Sequence, residues 1–185
     1  MSSKIPEYFS LFALEPQFAI DPDRLQRAYR EVLSQVHPDR YVSAGAGERR
    51  AALQMASHAN EAYEVLRSDV ARAAYLCTQR GVVVEGAGAA ALPLSFLEQQ
   101  MQWRETLEDA RATHDAPALQ RLADEVAVCR TRLLVDIASQ LDERADAPAA
   151  AASVRSLMFV EKLQSELARA LAPREPAAGA LAPTV

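Results

Sequence analysis

The chain has 185 residues, half of them apolar, with a formal net charge of −5 and two cysteines. That length supports one ordinary domain or two small ones with a real core, the acidic balance argues against a nucleic-acid partner held by a basic field, and no apolar run is long enough to span a membrane. Cys77 and Cys129 have no Cys or His at ligand spacing beside them, so neither a zinc site nor a disulfide framework is expected, and no metal or cofactor is either.

Helical periodicity runs through the chain, and nothing alternates like a strand beyond Val82 to Val84, so the class is all-α. The segment PEYFSLFAL predicts a short first helix, with Pro6 in its first turn and an apolar face of Tyr8, Phe9, Leu11 and Phe12. A second helix opens at DPDRLQRAYREVLSQV: Asp21 caps, Pro22 takes the first helical position, and Leu25, Ala28, Tyr29, Val32, Leu33 and Val36 repeat at threes and fours. Its other side carries Arg24, Arg27 and Arg30 against the single acid Glu31. After Gly45 and Gly47, ERRAALQMASHANEAYEVLRS places Ala52, Met55, Ala56, Ala59, Tyr63 and Leu66 on one face of a long helix antiparallel to the second. Asp69 is the expected cap of a fourth helix, VARAAYLCTQRG, stopped by Gly81.

The small-residue stretch GVVVEGAGAAALP then reads as a joint. Beyond it lie three longer helical segments, about Ser95 to Thr113, Ala116 to Leu141 and Ala149 to Leu171, with Ser95 and Glu98 as a capping box for the first. Short connections between them favour an up-down-up bundle. The expected organisation is 1–80, a linker at 81–94, a three-helix domain at 95–172 and a disordered Pro- and Ala-rich tail at 173–185. The start, MSSKIPEYFSLF, has neither a signal peptide's apolar segment nor an Arg-rich transit helix, so a cytoplasmic address is expected.

His37, Pro38 and Asp39 pose the functional question. As a catalytic pair, Asp39 would orient His37 as a general base acting on Ser34 or Ser43. The chain offers no nucleophile elbow, no Gly-rich oxyanion loop and no second cluster of acids and histidines, which disfavours an enzyme without removing a small hydrolase as an alternative. The backbone reading is simpler. Proline disfavours helical geometry in the residue before it, so the second helix ends near Val36 and Asp39 stands at the tip of a helical hairpin. A carboxylate there, beside a basic helical face, is placed to take an Arg of a partner.

The order of a short helix, a helix ending in HPDR, a loop and a helix ending in NEAYEVLRSD resembles the J-domain of co-chaperones that act on heat-shock-70-class chaperones. More narrowly, YFSLFALEPQFAID, RAAYLCTQRG, FLEQQMQWRETLEDA and VRSLMFVEKLQ are similar to the HscB family of iron-sulfur cluster assembly, and the resemblance covers nearly the whole chain. It implies an N-terminal J-domain, an antiparallel helical hairpin with short flanking helices, joined to a C-terminal three-helix bundle.

The resemblance further implies that the J-domain stimulates ATP hydrolysis by an HscA-type chaperone, while the bundle delivers an IscU-type iron-sulfur scaffold protein to it. No P-loop signature is present, in keeping with ATP bound by the partner. Carried over by position, His37, Pro38, Asp39 and Arg40 with Arg27, Tyr29 and Arg30 would meet the chaperone. Glu31 and Val36 depart from the basic residue and tyrosine common in general J-domains, which suits a dedicated partner. The scaffold site would comprise Leu97, Glu98, Met101, Gln102, Glu105 and Phe159, with Glu98 and Gln102 departing from the family's usual residue types. A J-domain co-chaperone with a different client is the alternative. The absence of a Cys-rich zinc extension agrees with a bacterial protein.

Helical spacing supports part of that site. Phe96, Trp103, Leu107 and Ala110 form a seam that leaves Leu97 and Met101 on its flank, and Leu157, Val160, Leu163, Leu167 and Leu171 form another that leaves Phe159 off it. His58 and His114 have no neighbours in sequence that point to chemistry.

Overall fold

A computed structural model of the protein describes residues 7–36, 45–86 and 91–172. Among them every regular element is a helix: α1 (Tyr8–Leu11), α2 (Pro22–Val36), α3 (Ala46–Arg67), α4 (Asp69–Gln79), α5 (Leu94–Ala112), α6 (Ala116–Ala138), a π-helical turn (Ser139–Glu143) and α7 (Ala147–Leu171). The three-valine run makes no strand; Val84 is buried and Val83 exposed.

The helix boundaries have local causes. Asp21 Oδ1 accepts the N–H of Asp23 at 2.9 Å and so caps α2 as its sequence predicts. Glu48 reaches back to the N–H of Gly45 at 3.1 Å to start α3. For α4 the cap is Ser68, whose Oγ accepts from Ala71, while Asp69 is already helical and pairs with Arg72. The expected Ser95/Glu98 capping box does not form: α5 begins one residue earlier, with Pro93 as a cap that contributes no side-chain bond. Both α6 and α7 start from the tripeptide Asp-Ala-Pro, and Asp115 and Asp146 accept the N–H groups of Ala118 and Ala149 at 2.9 and 3.1 Å.

Gly81 ends α4 in the left-handed region, at φ 77°, and its neighbour's N–H reaches back from Val82 to Cys77 O at 2.9 Å. Ala13 and His114 take the same backbone role after α1 and α5, at φ 50° and 56°. There Leu14 donates to Phe9 O and Asp115 to Ala110 O, at 3.0 and 2.9 Å.

The chain forms two compact units, one of residues 1–92 with Arg132–Met158 and one of Pro93–Thr131 with residues 159–185, so that α6 and α7 supply residues to both. In the first unit α2 packs on α3, and α1 and α4 pack on α3 as well. Tyr29 stacks on Tyr63 at 4.1 Å and donates through its hydroxyl to Asn60 Oδ1 at 2.9 Å, while Leu25 shares a pocket wall with Leu66, which sets α2 and α3 antiparallel. The core of this unit joins Phe9, Phe12, Phe18, Leu25, Leu66 and Leu76 to Ile137, Leu141, Val154 and Leu157. The apolar corner between α6 and α7 therefore belongs to the same core as the N-terminal helices, a grouping by burial that cuts across the linear order of segments.

The second unit buries Trp103, Leu107 and Ala110 of α5, Leu119, Leu122 and Val126 of α6, and Val160, Leu163 and Leu167 of α7. The Trp103 indole N–H donates to Glu125 Oε1 at 2.8 Å, so the largest ring in this core has its polar edge satisfied.

Candidate partner-binding surfaces

Two surfaces carry the residues singled out by the sequence. On the first, Arg24, Arg27 and Arg30 are exposed on α2, and Val32, Leu33 and Val36 are half-buried. Arg24 Nη2 donates to the carbonyl of Ala13 at 3.0 Å, which fixes it near the end of α1. Arg27 lies 3.9 Å from Asp21 in a pair exposed on both sides, which solvent screens and which leaves its charge open to a partner. Arg30 projects from the same exposed side. Tyr29 differs in kind: its ring lies between Phe12 and Tyr63 and its hydroxyl is engaged with Asn60, so it holds the hairpin together and presents little to the outside. His37, Pro38, Asp39 and Arg40 lie outside the described residues, as do the C-terminal tail from residue 173 and the middle of the linker, 87–90.

On the second surface, Leu97 is 40% and Met101 73% exposed, values high enough that neither contributes much to the core. Leu97 lies on the flank of the Trp103, Leu107 and Ala110 seam of α5, and Met101 lies near the side opposite it. Glu98, Gln102 and Glu105 are exposed on the same broad face. Leu94, which the sequence reading left out, is 71% exposed one turn earlier and extends the apolar strip to the start of α5. Its place at three and seven residues before Leu97 and Met101 was legible as helical spacing, but the expected capping box started the helix after it.

Phe159 of α7 is half-buried and meets α5 edge to face: its ring centroid is 6.1 Å from that of Phe96, and the two planes are at 87°. Arg104 of α5 covers it, with the guanidinium carbon 5.5 Å from the ring centroid and Nη1 3.6 Å from Glu166 Oε2. Arg104 was absent from the sequence reading because its reach to α7 depends on how two helices far apart in the chain pack. The result is an apolar strip of Leu94, Leu97 and Met101, fringed by Glu98 and Glu105, with an aromatic edge pinned in place by an arginine.

No group of three or more potential metal-binding side chains occurs among the described residues. Cys77 is fully buried, and burial raises its thiol above the usual range, with the charge of Arg80 opposing weakly, so the reactive thiolate is disfavoured there. His58 packs its ring 5.4 Å from that of Tyr8, and His114 is an exposed helix-end residue.

Comparison with known proteins identifies the family. A family model described as the HSCB C-terminal oligomerisation domain matches residues 92–168, which include α5, α6 and nearly all of α7. The co-chaperone protein HscB homolog of Bordetella avium is 47% identical over 162 residues, covering 88% of this chain and 95% of that protein. The chain belongs to the HscB co-chaperone family.

Its HscB relatives include that of Burkholderia thailandensis, 46% identical over 167 residues, covering 90% of this chain and 95% of the relative. Chaperone HscB from Vibrio cholerae superposes with a TM-score of 0.76 at 32% identity, covering 89% of this chain and 96% of its own. The human co-chaperone protein HscB shares the fold at a TM-score of 0.80 and 21% identity, over 89% of this chain and 81% of the human one. This HscB-family chain is thus a J-domain co-chaperone of all-helical fold, and no helix among its described residues is long and apolar enough to cross a membrane.

Proposed function

We propose that the chain stimulates ATP hydrolysis by an HscA-type heat-shock-70-class chaperone and delivers an IscU-type iron-sulfur scaffold protein to it, working in a bacterial cytoplasm. The segment 1–80 is the chaperone-facing part, 81–94 the joint and 95–172 the scaffold-facing part. In this reading His37, Pro38, Asp39 and Arg40, with Arg27 and Arg30, form the chaperone contact, and Tyr29 supports it by fixing α2 on α3. Leu97, Met101 and Phe159 are the apolar centre of the scaffold contact, Glu98, Gln102 and Glu105 are its polar rim, and Leu94 and Arg104 join them.

The observation that carries the reading is the uncovered strip on α5. A helix that already buries Trp103, Leu107 and Ala110 on one side has no folding reason to hold Leu94, Leu97 and Met101 in water on the other. An apolar centre with charged residues around it is the composition of a protein-binding patch. The chain's contribution is binding and placement, and the hydrolysed ATP belongs to the chaperone.

Titration of the purified scaffold into the full-length chain and into Leu97→Ala, Met101→Ala and Phe159→Ala variants tests the scaffold half. Weakened binding at unchanged helical content supports it. Unchanged affinity in all three removes the site, and failure of the wild type to bind any scaffold leaves a J-domain co-chaperone with a different client.

A further inference from the structure

Where α5 and α7 finish and α6 begins, the second unit holds a cavity of about 580 Å³. Its wall is apolar at Ala110, Leu119 and Leu171, the first two of them buried. Around that wall stand Arg111 near the end of α5, His114 in the turn before α6 and Arg169 in the last turn of α7. No carboxylate lines the cavity, although the chain carries 25 acidic residues against 20 basic ones. Two arginines and a histidine without an acid, on an acidic protein, make a local reversal of the overall field.

Basic residues near helix C-termini commonly serve the helix itself, by meeting its last carbonyls. Arg111 reaches further: its Nη2 donates to the carbonyl of Glu166 on α7 at 3.0 Å, which fixes the guanidinium between two helices and leaves its other N–H groups to a ligand. The side chain of Arg169 makes no hydrogen bond or ion pair among the described residues, and neither does the His114 imidazole. The turn that carries His114 is set by its backbone, at φ 56° with the Asp115 N–H bonded to Ala110 O at 2.9 Å. Three donors are thus held around one apolar wall with most of their hydrogen-bonding capacity unspent.

We propose that this cavity binds a small amphiphilic anion, a carboxylate or phosphate head on a short apolar body. The head takes the free guanidinium N–H groups of Arg111 and Arg169, with His114 as a further donor, and the body covers Ala110, Leu119 and Leu171. The volume lies within the range of small-molecule sites and exceeds what a bare oxyanion fills. Such a ligand joins the end of α5 to the end of α7 and stabilises the second unit by mass action. The site is separate from the apolar strip on α5, since Arg111 lies about 15 Å further along that helix than Met101. It is independent of the co-chaperone function proposed above.

The test titrates octanoate, octyl phosphate, acetate and octan-1-ol into the full-length chain, with calorimetry for affinity and amide chemical shifts for location. Octanoate or octyl phosphate should bind and move the signals of Ala110, His114 and Leu119, and the tighter of the two identifies the head group. Acetate and octan-1-ol, each lacking one half of the ligand, should bind about tenfold more weakly or less. Arg169→Gln, which breaks no side-chain bond within the described chain, should weaken binding about fivefold or more at unchanged helical content, and adding Arg111→Gln should weaken it further. Failure of both octyl probes to bind at millimolar concentration overturns the proposal. So does octan-1-ol binding as tightly as octanoate, which would make this a plain apolar cavity, or acetate doing so, which would make it a bare anion site. Equal affinity in the wild type and the double Arg111→Gln, Arg169→Gln variant overturns it as well.

Discussion

Arg72 concentrates more structure than any charge on the outer surface of the hairpin. Its side chain is 8% exposed, and it donates to the carbonyls of Phe18 and Leu66 at 2.8 and 2.6 Å while pairing with Asp69 at 2.8 Å. Arg72→Met keeps the stem's apolar contacts but leaves two buried carbonyls without donors, which should cost about 2–4 kcal/mol in urea unfolding. Asp69→Asn, whose carboxylate is partly solvated, should cost about 1 kcal/mol or less. Equal costs for the two would show that the ion pair, not the carbonyl bonds, is the source of the stability. Tyr8 supplies a pH-dependent counterpart. Partial burial, then a hydrogen bond to Glu61, pushes its hydroxyl up from 10.0 to about 12. The folded state thus keeps this proton where the unfolded chain loses it. The stabilisation is complete below pH 10, declines as pH rises through the folded value near 12, and is absent above it. Ultraviolet titration should show a late-ionising step in the wild type that Tyr8→Phe removes; persistence of that step in the variant would assign it to another ring.

At the scale of the element, α5 buries one apolar face and leaves another in water. Trp103, Leu107 and Ala110 fill the second unit, while Leu97 and Met101 remain exposed enough that truncating them costs the fold little. Leu97→Ala and Met101→Ala should each weaken scaffold binding by about 1–2 kcal/mol, roughly five- to thirtyfold, with unchanged thermal stability. Phe159→Ala should weaken binding comparably and also cost some stability, because Phe159 is half-buried against Phe96 and Arg104. The two-sided character of α5 was legible as spacing: residues off the Trp103 seam had to face elsewhere. Its first turn was not, because Ser95 and Glu98 resemble a capping box while Pro93 supplies the carbonyl that Phe96 and Leu97 use, at 3.0 and 3.1 Å. The choice between Ser68 and Asp69 as the cap of α4 was equally closed to sequence, since both side chains suit that place and only geometry separates them.

At the scale of the molecule, the all-helical class and the order of helices followed from periodicity and breakers, both local properties of the chain. What periodicity cannot carry is contact between distant segments. The bonds from Asp142 to Phe18 and Ala19 span 124 and 123 residues, and nothing near either end marks them. The sharing of one core by Phe9, Leu25, Ile137 and Leu157 is hidden in the same way, since each is read from sequence only as the buried face of its own helix. The candidate surfaces divide along this line: Leu97 and Met101 are predictable from one helix, whereas Arg104 over Phe159 needs two. The central claim is that this co-chaperone acts by switching on a partner's ATPase while presenting a scaffold protein. Its most direct test is the steady-state ATPase rate of an HscA-type chaperone with an IscU-type scaffold present, measured without the chain, with it, and with Asp39→Asn. The account predicts a several-fold rise with the wild type and none with Asp39→Asn; no rise with the wild type, or an equal rise with both, would contradict it.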